Sequence, residues 1–86
     1  MSLPNAQLPA NTWVDLYAAS GATAGNALIV QNLGEHKVRI SYDVDQPTDL
    51  TSYFHAKADE FIGNQAGEGF WAYSYHASGL VAVAEA

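Results

Sequence analysis

Cysteine is absent from the 86 residues. No disulfide can brace the fold, and thiolate metal sites are excluded. The absence fits a cytosolic protein better than a small secreted one, which usually needs bridges. Positive charge is almost as scarce, with three Lys and Arg against nine Asp and Glu and a net charge of −6. Three cations cannot form the stripe that displaces counterions from phosphates, so no nucleic-acid partner is expected. Anionic membrane surfaces are disfavoured for the same reason. No apolar run approaches the roughly 20 residues that span a bilayer. No basic segment precedes an apolar one at the start, so a signal peptide is not expected. A helical period of 3.6 is not found over any length.

What is present is apolar and small. Hydrophobic residues make up 49% of the chain and charged residues 14%, against about 25% charged in a typical soluble domain. Such a surface suits a protein packed against something else; an ordinary alanine-rich domain is the alternative. A chain this short removes only roughly 60–65% of its unfolded surface from water on folding. Self-association is therefore expected as a second source of stability, as a dimer or trimer.

Residues 1–11, with Pro4 and Pro9, read as an extended arm, and residues 12–86 as a single β domain. The run at 12–18 places Val14 and Leu16 on one face of a strand and Trp13, Asp15 and Tyr17 on the other. Residues 27–31 are almost continuously apolar, as in a strand covered on both sides or near an interface. Residues 37–44 alternate, with Val38, Ile40, Tyr42 and Val44 opposed to Lys37, Arg39, Ser41 and Asp43. The turn at 32–35, with Gly34, predicts a hairpin between these two runs. Residues 51–58 fit a strand or a helical turn capped by Asp49 or Thr51. Further strands are expected at 60–62, 70–76 and 80–84. Six to seven short strands imply an all-β fold: a small antiparallel β-sandwich, jelly roll or barrel. The expected core is Val14, Leu16, Leu28, Val30, Val38, Ile40, Phe61, Leu80 and Ala82, although the last strand is apolar on both faces and leaves its parity open. Ile29, Val81 and Val83, opposite that core face, are interface candidates, together with Trp71, Tyr73 and Tyr75.

Chemistry is sparse. His36, His55 and His76 lack ligand spacing, and no nucleophile elbow or phosphate-cradling glycine loop occurs. No catalytic residue and no cofactor is expected. Asp43, Asp45 and Asp49 form an acidic loop of hard oxygen ligands, the only weak metal candidates. The loop departs from the EF-hand: Pro47 holds the fifth position, Thr48 replaces the glycine and Phe54 replaces the bidentate glutamate. Trp71, Tyr73 and Tyr75 share one face of a strand, with Trp13 and Tyr17 as further members of an aromatic group. Such stripes are more often core or subunit interface, but they also stack on sugar rings in carbohydrate-binding modules.

Thr12-Trp13-Val14-Asp15-Leu16-Tyr17, then Ala27-Leu28-Ile29-Val30-Gln31-Asn32, then Gly67-Glu68-Gly69-Phe70-Trp71-Ala72-Tyr73-Ser74 resemble a family of small structural proteins of tailed bacteriophages. The similarity covers most of residues 12–85, and residues 45–62 depart from the pattern. It implies a non-enzymatic virion component, a head-decoration or tail-associated module assembled in the host cytoplasm and binding capsid or tail subunits. A carbohydrate- or host-receptor-binding module is the competing expectation. Where Trp71, Tyr73 and Tyr75 point separates the two.

The acidic loop yields a direct test. Chelation is expected to leave the melting temperature unchanged, and replacing Asp45 and Asp49 by Asn should be tolerated. A calcium-induced rise of several degrees would overturn this, because a ligand of the native state raises stability by mass action.

Overall fold

The computed structural model describes residues 3–48, 54–77 and 79–86. Its elements are β1 (Ala6–Leu8), β2 (Trp13–Asp15), α1 (Leu16–Ser20), β3 (Leu28–Asn32), β4 (Val38–Ser41), β5 (Phe54–Ala56), β6 (Phe61–Gly63), β7 (Trp71–Tyr73) and β8 (Gly79–Glu85). The fold is all-β, with two four-stranded antiparallel sheets in the orders β1-β8-β3-β6 and β2-β7-β4-β5. There are eight strands where six to seven were expected. The additional one is β1, which the segment read as an arm contributes between its two prolines. Ala6 and Leu8 from this strand are buried, and it pairs with β8.

One core lies between the sheets. Leu8, Leu28, Val30, Val81 and Val83 enter it from the first sheet; Val38, Ile40, Ala56 and Ala72 enter from the second, with Phe70 beside them. Leu16, Leu28, Val30, Val38 and Ile40 are buried as their alternation predicts, and Val14 is half-buried against them. Three expectations are corrected. Phe61 is not core but 66% exposed, because it pairs with the outward Gln31 while Ile62 turns inward. Leu80 and Ala82 face outward, half-buried, and Val81 and Val83 are the buried pair. The register sets that parity, since Val83 lies opposite the inward Val30 and Val81 opposite the buried Asn32.

The run at 12–18 is a strand only as far as Asp15. The Asp15 carboxylate accepts a hydrogen bond from the Tyr17 N–H at 3.0 Å and caps α1, which ends at Gly21 with φ of 79°. Leu16 is thus buried from a helix and not from a strand.

The hairpin at 32–35 is also corrected. β3 and β4 belong to different sheets, and the turn carries the chain across the core. Asn32, 1% exposed, makes that crossing. Its Nδ2 donates to the His36 carbonyl at 2.9 Å and to the Ala56 carbonyl, on the other sheet, at 3.1 Å. Its Oδ1 accepts from the Gly34 N–H at 3.0 Å. Replacing Asn32 by Ala strands these groups, each worth about 1–3 kcal/mol if left unpaired where water is excluded. The expected loss is about 2–3 kcal/mol, a fall in melting temperature of roughly 10–20 °C for a domain of this size. Asn32→Asp should be no better, because a carboxylate cannot donate to two carbonyls. Thermal melts of both variants decide; a drop of a degree or two would show that the clasp is dispensable.

Candidate docking surfaces

Each sheet has an outer face, and the two differ in chemistry. On the first sheet the outward strand positions are Gln7, Ile29, Gln31, Phe61, Gly63, Leu80, Ala82 and Ala84, none of them charged. Ile29 is 46% and Phe61 66% exposed. With Leu3 and Asn5 they border a shallow groove of about 250 Å³. Ile29 is therefore on an outer face, as the sequence suggests. Val81 and Val83 are not; both belong to the core.

The second sheet carries a row across all four strands: Trp13, Tyr73, Arg39 and His55 are register partners. The next row holds Asp15, Trp71 and Ser41. Trp13 and Tyr73 lie 5.3 Å apart at 58°, and Tyr73 meets Tyr75 edge-on at 5.2 Å. Arg39 Nε donates to the Tyr75 hydroxyl at 3.1 Å, with the guanidinium 6.0 Å from that ring. Trp71, Tyr73 and Tyr75 thus point away from the core, where inward neighbours Phe70, Ala72 and Ser74 are buried. Tyr73 and Tyr75 meet edge to face and Trp13 is tilted against Tyr73, so these three rings do not form a flat platform. Trp13 joins them. Tyr17 does not: it is buried, its hydroxyl donating to the Asn26 carbonyl and accepting from Asn64 Nδ2. Arg39 and His55 were not singled out for this face, although the alternation of residues 37–44 already put Arg39 on the polar side of its strand.

The histidines are only partly brought together. His36 and His76 stack at 3.7 Å, while His55 sits on β5. Ser74 Oγ donates to the His76 backbone carbonyl and accepts from its N–H. Asp43 and Asp45 lie exposed after β4, and Asp49 falls outside the described residues. The Asp43 carbonyl passes so close to Gly69 that a Cβ there would meet it at 1.9 Å. Among the described residues no group of three or more His, Asp or Glu is placed to hold a metal ion, and no helix is long and apolar enough to cross a membrane. Comparison with protein families, curated proteins and solved structures finds no match to this chain.

His55 reports the electrostatics of the second face. Burial, followed by the cations Arg39 and Lys37, holds its pKa below the ordinary histidine value. The folded protein then binds fewer protons at this site than the unfolded chain, so its contribution makes stability fall as pH drops through the ordinary histidine range. A proton NMR titration should place His55 low, and Arg39→Gln should raise it part of the way, since burial remains. A His55 that titrates at or above the ordinary value would refute the cationic environment.

Proposed function

We propose that this chain is a non-enzymatic structural protein of a tailed-phage virion, a small β-sandwich that docks on capsid or tail subunits and acts as a dimer or trimer. The observation that carries the reading is the uncharged outer face of the first sheet. A domain with a closed core of its own has no internal use for Ile29 and Phe61 at the surface, and contiguous apolar faces mark contact sites. The phage-like segments fit a scaffold role. Asp15 caps α1, Tyr17 ties α1 to two loops, Asn32 spans the sheets, and Gly69 permits a close backbone approach. Two of these segments supply β2 and β7, which pair.

A carbohydrate- or receptor-binding module is the second reading, favoured by the outward position of Trp71, Tyr73 and Tyr75. The tilted rings argue for the first. A glycan-array signal lost in Trp71→Ala with folding intact would reverse the order.

The test of docking is the double variant Ile29→Glu, Phe61→Ser, expressed in place of the wild type during phage growth. Both positions are exposed, so stability should change by less than about 1 kcal/mol. The folded variant should fall at least tenfold in purified particles. Wild-type occupancy by the variant would remove the role of this face, and particles lacking even the wild-type protein would sink the virion reading.

A further inference from the structure

Two of the three cations of the chain, Lys37 and Lys57, lie at one end of the second sheet, and the third, Arg39, stands one row in, level with Trp13 and Tyr73. Val38 pairs with Ala56, so Lys37 and Lys57 flank the same end of the β4–β5 ladder, with Arg39 and His55 in the next outward row. Among the described residues neither lysine ammonium is in an ion pair. Acidic residues adjoin this end: Glu35 lies in the β3–β4 connection, and Asp59 and Glu60 in the β5–β6 turn. The Asp59 N–H is tied to β3 of the other sheet, and the Glu60 carboxylate accepts from the Lys57 backbone N–H. Yet the charged groups acting on His55 are both cations.

The opposite end carries Asp15, Asp43, Asp45 and Glu68, with no cation. A groove of about 140 Å³ there is bordered by Asp15, Glu68, Val44 and Trp71. Between the two ends lie the rings of Trp13 and Tyr73. The outward side chains of the face therefore include two lysines at one end, aromatic rings with Arg39 in the middle and carboxylates at the other.

Such a face complements itself. A second copy turned by a two-fold axis through the aromatic row sets each cationic end on the other's acidic end, so one rotation satisfies both contacts. Trp, Tyr and Arg at the centre with charge at the rim is the arrangement of a protein interface. We infer that the outer face of the second sheet pairs two copies of this chain in antiparallel array, Lys37 and Lys57 of each against the acidic end of the other, where Asp45 and Glu68 lie beyond β4. The inference deepens the proposed function: it assigns self-association to this face and leaves the first sheet for the virion partner.

Sedimentation of two charge-reversed variants tests it, Lys37→Glu with Lys57→Glu and Asp45→Lys with Glu68→Lys. Circular dichroism first shows that each folds; should the acidic-end pair fail, Asp45→Lys alone replaces it. Wild type should be dimeric at micromolar concentration, each reversed variant should dimerise at least tenfold more weakly, and an equimolar mixture should recover a heterodimer at least tenfold tighter than either alone. A monomeric wild type overturns the inference, as does a mixture no tighter than its components. Dimerisation that resists both reversals but is lost in the Ile29→Glu, Phe61→Ser variant moves the contact to the first sheet and overturns this inference, and the incorporation assay in phage particles then judges the docking reading by itself. Capture of monomeric wild type by polygalacturonate, abolished by Arg39→Gln, gives the face to an acidic glycan and overturns it too.

Discussion

The structure depends on two buried or half-buried asparagines that close the places where the chain leaves a sheet. Asn32 sits at the end of β3 and reaches a carbonyl of the opposite sheet. Asn64 holds the other end: its Oδ1 accepts from the Leu28 N–H at 2.8 Å, and its Nδ2 donates to the Tyr17 hydroxyl at 2.9 Å and to the Gly69 carbonyl at 3.2 Å. Gly69 in turn donates to the Tyr42 carbonyl, next to β4. One central strand is thus fastened at both ends to the sheet it faces. Hydrophobic burial is non-directional and sets no register. Hydrogen bonds to fixed carbonyls do. The demand is met completely: among the described residues every buried side-chain nitrogen or oxygen has a partner.

Fastening β3 this way decides what the surfaces look like. Because β3 and β4 face each other across the core, their inward residues are used up in packing. Their outward residues go to different sides of the molecule. Ile29 and Gln31 join an uncharged face; Arg39 joins the rings of β2 and β7. Had the same two runs formed a hairpin, Ile29 and Arg39 would have shared one sheet and the separation of charge from apolar surface would not exist. The chemistry of the two faces is a consequence of the crossing, and Asn32 clasps that crossing.

That crossing was not legible in the sequence, for a physical reason. Residues 27–31 are almost continuously apolar and residues 37–44 alternate, and neither pattern fixes which sheet a strand joins. The all-β class was legible because period-two runs and turn residues are local. The parity of β8 was not, since Leu80-Val81-Ala82-Val83 is apolar on both sides and only pairing with β3 decides it. β1 was hidden by Pro4 and Pro9, which flank the strand and do not enter its ladder. α1 was hidden by five residues too short for a period; its one local signal is Asp15, whose carboxylate can cap a helix as readily as it can face water. On the candidate surfaces, the stripe of Trp71, Tyr73 and Tyr75 was legible because it obeys period two. Its partners Trp13, Arg39 and His55 come from three other strands and required the register.

Net charge has a place in this arrangement. A chain with an apolar sheet face and no disulfide is exposed to indiscriminate association through that face. Six excess negative charges oppose it, because they repel other copies over roughly a Debye length, about 8 Å at physiological ionic strength. None of those charges occupies the outward positions of the first sheet, so none must be desolvated when that face is covered. On the second sheet the opposite holds: two of the three cations stand at one end, where they can meet carboxylates. Repulsion acts at long range and in every orientation; complementarity acts at contact and in one. The difference is what the proposed docking and pairing rely on, and it follows from where three cations and eight uncharged strand positions fall in the two ladders.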